Sequence, residues 1–218
     1  KYTYNKAGNV ISTTDPRGVI STNIYDELGR VKEIKIGDKT ISTTSYDNCQ
    51  NGIGKICQTT DNNPDTGKVL LTTTNVYDIR GQILSTTTKT SNLPDEVVNN
   101  KMFTTSYTYD EGGRVLTTNL PDDSSLNIPD ETLTNVYSRP YLTSLTNQSG
   151  VIYGSDTVFN KNGQILSFNS GNGVSHNYTY DPSNTVRSAA KRSGQNFGRR
   201  RPPDQFSAES PACASIRT

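Results

Sequence analysis

Short stretches of the chain follow a period of two. Ile20-Ser21-Thr22-Asn23-Ile24-Tyr25 and Val115-Leu116-Thr117-Thr118 carry apolar and polar residues in turn, which gives a strand one apolar and one wet face. Thr and Tyr dominate these stretches, and both suit strands. Asn, Asp, Gly and Ser fill the gaps between them, as residues of turns do. No segment carries the spacing of a long helix. Asp95 to Met102 has room for one helical turn or two, and Asn119 to Asn135, interrupted by Pro121 and Pro129, reads as a long surface loop with room for short strands. The pattern predicts an all-β chain of short strands and tight turns.

The strands and turns recur in register. An aromatic residue is followed by Asp or Asn, two variable residues, Gly, a polar residue, and Val or Ile. Clear copies begin at Tyr4-Asn5 (Gly8, Val10), Tyr25-Asp26 (Gly29, Val31), Tyr77-Asp78 (Gly81, Ile83), Tyr109-Asp110 (Gly113, Val115) and Phe159-Asn160 (Gly163, Ile165). Weaker copies begin at Tyr46, which carries an insertion, and at Tyr180, where Asn184 stands in place of Gly. The steps Tyr4 to Tyr25, Tyr25 to Tyr46 and Phe159 to Tyr180 are each 21 residues, while Tyr46 to Tyr77 and Tyr77 to Tyr109 are 31 and 32. Half-period echoes occur at Asp15-Pro16-Arg17-Gly18 and from Asp61 to Gly67. A unit of 21 residues therefore holds two strands and two turns, and the longer steps contain inserted loops.

Asp or Asn can cap backbone N–H groups at the first turn position, and Gly at the fourth suits a type I turn. Its access to positive φ allows the turn to close through a G1 bulge. The aromatic before it then lies on the more buried face, against the next hairpin.

Composition limits what such strands can build. Hydrophobic residues make up 30% of the 218, short of the usual roughly 45–50% even after Gly is counted in. A thin or elongated β structure fits this better than a ball around a large core. The net charge of +1 hides an asymmetry: 15 basic and 19 acidic residues precede Arg187, and 7 basic and 2 acidic follow from it. The repeat region, residues 1–186, is thus mildly acidic and no electrostatic match for nucleic acid. Residues 187–218 hold six of the eleven Arg and no Tyr. They are expected to be disordered, either as a basic arm or, the favoured reading, as a shifted reading frame foreign to the repeats. No run approaches the roughly 18 apolar residues of a membrane span. The chain opens on Lys1 with no visible signal segment and reads as a piece of something longer.

Tyr25-Asp26-Glu27-Leu28-Gly29-Arg30-Val31 and Tyr109-Asp110-Glu111-Gly112-Gly113-Arg114-Val115 resemble the repeats of the Rhs, or YD-repeat, proteins. That family includes bacterial polymorphic toxins, the C component of insecticidal Tc toxins and the animal teneurins. Tyr46 to Cys57 is similar to a cysteine-bearing variant repeat of such toxins. The resemblance implies stacked antiparallel β-hairpin repeats that form an arc of a spiral β-shell. It also implies a role in enclosing and delivering a C-terminal toxin, secreted or at a cell surface, without chemistry of the segment's own. The implied partners are the adjoining repeats of a longer chain, the enclosed toxin domain, and other toxin-complex subunits or surface glycans. Many bacterial members carry a self-cleavage motif built around Asp-Pro-x-Gly-Leu. Asp15-Pro16-Arg17-Gly18-Val19 is the nearest match, but it has Val for Leu and repeats continue after it, so it reads as a half-period turn.

The remaining candidates have plain alternatives. His176, the single histidine, would have to serve any Ser-His or Cys-His catalysis, yet it lies in a strand-like stretch and reads as an ordinary strand position. Cys49 and Cys57 flank a Gly-rich hairpin and are either a disulfide or two buried thiols; Cys213 leaves the count odd. Two Cys fall short of the ligands zinc needs. Asp122, Asp123, Asp130 and Glu131 lack the dense oxygen spacing of a calcium loop and read as solvated charge. Asn147-Gln148-Ser149 and Asn177-Tyr178-Thr179 are glycosylation sequons that an Asn-rich chain produces by chance. No acid, base and nucleophile converge, no cofactor motif is present, and an enzyme is the least supported class. The second class after a shell segment is a carbohydrate-binding or adhesive repeat.

Overall fold

The computed structural model describes residues 1–181 and the backbone of 187–193. The first four hairpins pair β1 (Tyr2–Tyr4) with β2 (Val10–Thr14), β3 (Ile20–Tyr25) with β4 (Val31–Ile36), β5 (Lys39–Tyr46) with β6 (Ile56–Asn62), and β7 (Val69–Tyr77) with β8 (Ile83–Thr90). The next four pair β9 (Met102–Tyr109) with β10 (Val115–Asn119), β11 (Thr132–Ser138) with β12 (Tyr141–Asn147), β13 (Ile152–Phe159) with β14 (Ile165–Ser170), and β15 (Ser175–Tyr180) with β16 (Arg187–Ser193). One 3-10 turn, Ser124–Leu126, lies between β10 and β11. All sixteen strands form one antiparallel sheet in chain order, and each strand contacts only its neighbours in sequence. Strand pairing continues past the change of composition at 186, because β16 lies against β15 from Ser175↔Ser193 to Tyr180↔Arg187. Asn184, Cys213 and the rest of the tail after Ser193 lie outside the described residues.

The turn explains the hairpin. Asp26 N donates to Arg30 O at 2.8 Å, Gly29 N donates to Asp26 O at 3.0 Å, and Gly29 takes φ +77°. The register slips by one residue between Ile24 and Tyr25. This is the type I turn with a G1 bulge that the Asp-x-x-Gly spacing predicts. The carboxylate completes it, since Asp26 Oδ1 accepts from Leu28 N at 3.0 Å and Arg30 N at 2.8 Å. Asn5 and Asn160 do the same with an amide oxygen. A half-period turn copies the device at Asp15, whose Oδ1 accepts from Arg17 N and Val19 N.

A sheet built this way has almost no core. Among the described residues only Gly52, Cys57, Tyr77 and Thr90 are buried. Threonines compensate through cross-strand hydroxyl bonds. Thr44, Thr59, Thr73 and Thr88 stand opposite one another across four strands, and the last two join at 3.1 Å. Thr74, Thr87 and Thr104 form a row on the other face, with 2.9 Å between the last two.

Two segments differ from the sequence reading. The stretch from Asn119 to Asn135 is a loop only in its middle, because β11 begins at Thr132. That strand carries Tyr137 next to its last residue, Ser138, so an eighth aromatic divides the interval from Tyr109 to Phe159. Its turn, Ser138-Arg139-Pro140, has no Gly, and Arg139 itself takes φ +57°. From Asp95 to Met102 there are turns without a regular helix, and Met102 opens β9.

The turn geometry separates two neighbouring substitutions. A Cβ at Gly29 would meet Asn9 Nδ2 at an ordinary 3.5 Å, so the penalty of Gly29→Val comes from its positive φ. Thermal or urea unfolding is expected to show a loss of about 1–3 kcal/mol. Leu28→Val, at a site 75% exposed, is expected to stay within about 0.5 kcal/mol. Equal losses would contradict the turn assignment.

Candidate functional site

The repeated aromatic joins one hairpin to the one before it. Tyr25 Oη donates to Val10 O at 2.7 Å, Tyr46 Oη to Val31 O at 2.9 Å, and Tyr77 Oη to Ile56 O at 2.7 Å. Tyr109 reaches Ile83 O at 2.7 Å, Tyr137 reaches Val115 O at 2.9 Å, and Tyr180 reaches Ile165 O at 2.8 Å. In every case the acceptor is the Val or Ile that follows the previous turn. The cause is visible in the register. Pairing between hairpins stops at Ser12↔Thr22, Glu33↔Thr43, Gln58↔Thr74, Ser85↔Ser106, Thr117↔Thr134 and Ser167↔Asn177. The carbonyl two residues beyond each of these pairs has no strand opposite it. A carbonyl out of reach of the ladder needs another donor, and the Tyr hydroxyl three residues past the last pair supplies it. At three junctions an Asn two residues before the Tyr shares the acceptor. Asn23, Asn75 and Asn135 donate to Val10 O, Ile56 O and Val115 O at 3.0, 3.0 and 2.9 Å.

The residue after the turn Gly adds a second link. Arg30 Nε donates to Asp26 Oδ2 at 2.7 Å, its terminal nitrogens meet Asp47 at 2.5 and 3.1 Å, and its guanidinium lies 4.2 Å over the Tyr46 ring. Arg114 repeats this with Asp110 at 2.6 Å and the Tyr137 ring at 4.4 Å. Gln82 Nε2 instead donates to Gly113 O at 2.9 Å. The bonds to backbone N–H groups hold the Asp26, Asp78 and Asp110 carboxyls below the ordinary range, the N–H four residues on contributing most. For Asp47 the Arg30 guanidinium is the chief cause.

The insertion after Tyr46 is closed by a disulfide between Cys49 and Cys57. Gly52 lies beneath it, where an added Cβ would overlap both sulfurs. Asn51 Nδ2 donates to Tyr77 O at 3.1 Å, which ties the loop to the next repeat. Cys57 and Tyr77, the two buried apolar side chains of the described residues, therefore belong to adjoining repeats.

The other candidates are dispersed. Tyr4 sits on the outermost strand and is largely exposed. His176 stacks on Phe168 at 4.3 Å and its Nε2 meets Ser170 Oγ at 2.8 Å. Asp123 caps the 3-10 turn and meets Lys101 at 3.0 Å. The Ser125 hydroxyl, then Lys101, lower its pKa to about 2. Glu131 accepts from Asn147 and Tyr153 instead. Among the described residues no three acidic, His or Cys side chains gather to hold a metal, and no helix is long and apolar enough to cross a membrane. Tyr137 is the linking residue that the sequence reading missed. Asn135-Val136-Tyr137, which matches Asn23-Ile24-Tyr25 and Asn75-Val76-Tyr77, is the signal that would have found it.

Residues 4–41, covering the first two turns and the first Tyr-to-carbonyl link, match the family described as RHS Repeat. No curated protein matches the chain. Among solved structures it is similar to a chain of the Photorhabdus luminescens Tc holotoxin pore, with 17% identity over 88% of this chain and a TM-score of 0.62. It is similar also to chains of TcdB2-TccC3 (17%, 88%, TM-score 0.63) and of TcdB2-TccC3-Cdc42 (16%, 85%, TM-score 0.62). The chain spans about 10% of the length of each of these. At this identity the likeness is one of fold: the hairpin array follows the same path as a short stretch of those chains.

The shared acceptor makes the Asn and Tyr donors of one junction interdependent. Asn75→Ala and Tyr77→Phe each leave Ile56 O one donor, and the double variant leaves it none. A double-mutant cycle in urea unfolding is expected to show the pair losing about 0.5–1 kcal/mol more than the sum of the singles. Strict additivity would mean that the two donors do not serve one carbonyl.

Proposed function

We propose that this chain is a structural segment of a toxin-complex shell, which encloses and delivers a toxic cargo carried on the same polypeptide and performs no chemistry of its own. The observation that carries the reading is the one-layer sheet whose hairpins bind only their neighbours. A unit with so little core gains stability by adding repeats, and a long run of them makes a wall. From Tyr25 onward the linking tyrosines are half-buried or buried, while Val76, Lys89, Met102, Thr104 and Val136 on the opposite face stand exposed. A wall curled toward the tyrosine face accounts for that difference. The likeness to TcdB2-TccC3 chains supports this reading at the level of fold. The Cys49–Cys57 disulfide suits an exported protein. Its partners would be the adjoining repeats, the enclosed segment and further subunits of the complex. We further propose that the repeat array proper is residues 1–186 and that β16, although it pairs with β15, carries no repeat motif of its own.

Protease protection of the full-length polypeptide tests this. The segment after the last repeat is expected to resist digestion while the repeats are folded and to be cleaved once denaturant opens them. Cleavage at the same rate before and after opening would contradict a shell. Binding of the intact chain to a glycan array, without such protection, would favour an adhesive role instead.

A further inference from the structure

One of the seven junctions between hairpins lacks the link that the other six share. Between β12 and β13 the aromatic is Phe159, which has no hydroxyl to donate. Its acceptor by position is Leu142 O, since Leu142 pairs with Tyr137 across the hairpin as Val31 pairs with Tyr25. The other junctions keep a pair two residues from the acceptor. Here that pair would be Ser144↔Asp156, and it is absent: the register holds only Leu145↔Gly154 and Thr146↔Ile152, with a shift between them. Asp156 takes φ +52° and turns its carboxylate to Ser155 Oγ at 2.8 Å and Asn169 Nδ2 at 2.9 Å. On the far side β13 is irregular again, slipping against β14 between Ser155 and Val158 and between Val158 and Phe159. Beside those two ladder pairs, what crosses the junction in place of the hydroxyl link is an aromatic stack, Tyr141 on Phe159 at 4.4 Å. A hollow of about 430 Å³ opens there, lined by Pro140, Leu142, Leu145 and Phe168 among others.

We infer that the β12–β13 junction is a hinge, about which the repeats on either side move as two units. A hydrogen bond to a carbonyl fixes direction, whereas stacked rings tolerate sliding and tilting. The left-handed Asp156 breaks the ladder at the place where the missing hydroxyl would have pinned it. The inference rests on the array geometry. If the proposed shell is correct, the hinge is where this arc can flex or open.

Hydrogen–deuterium exchange on the intact chain tests it. Backbone amides of Leu142–Leu145 and Asp156–Phe159 are expected to exchange faster than those of Val115–Thr117 and Thr134–Tyr137 at the neighbouring junction. Phe159→Tyr, with a donor for Leu142 O, is expected to slow exchange at the hinge about 5- to 10-fold. Tyr137→Phe is expected to speed exchange at its own junction by a similar factor. Equal protection at both junctions in the unaltered protein, or no change at the hinge in Phe159→Tyr while Tyr137→Phe acts as expected, would overturn the hinge. Loss of cargo protection in the full-length polypeptide with these exchange results intact would count against the shell alone.

Discussion

One backbone carbonyl per repeat governs this structure. The glycine bulge that closes six of the hairpins puts the following Val or Ile at a place where the next hairpin offers no strand. Its oxygen must still find a donor, because an unpaired backbone acceptor away from water costs as much as a lost hydrogen bond. A tyrosine at the end of the next strand has the length to reach it, and six of the seven junctions use that solution. The Tyr and the Gly of the motif are therefore two halves of one device. Gly allows the bulge that strands the carbonyl, and Tyr of the following repeat answers it.

The rest of the architecture follows. With four buried residues among those described, only two of them with large apolar side chains, hydrophobic burial is too small to fix the sheet from within. Stability instead comes from ladder bonds, hydroxyl rows and links between turns, all between neighbours. Such an array gains stability by adding units and loses cooperativity where a link is missing. The disulfide loop sits at an opposite extreme from the β12–β13 junction. There the enlarged turn covers Tyr77 and ties two repeats firmly, while Phe159 leaves two others joined by stacking.

Much of this was legible in the sequence because the decisive residues are local. Asp-x-x-Gly fixes a turn from within five residues, and seven of the eight aromatics were visible by their place before it. Tyr137 escaped because its turn, Ser138-Arg139-Pro140, lacks both Asp and Gly; Arg139 takes the positive φ that the motif gives to Gly. Thr132 to Val136 was hidden for a related reason, since two prolines nearby suggested loop and the strand begins only three residues after the second. The acceptors could not be found from sequence at all. A carbonyl carries no side-chain signature, and which one lies beneath a Tyr depends on the register between hairpins. The same is true of Asp156, whose left-handed backbone is set by the neighbours of β13 rather than by its own residue type.

The claim that hydroxyls rather than rings join the repeats is tested most directly by the unfolding free energies of single Tyr→Phe variants at 4, 25, 46, 109, 137 and 180. Loss of the hydroxyl at the last five positions is expected to cost about 0.5–1.5 kcal/mol each. Tyr4→Phe, whose hydroxyl donates to no carbonyl among the described residues and is largely exposed, is expected to cost almost nothing. If all six changes cost the same, or none costs anything, the link between repeats does not lie in the tyrosine hydroxyl.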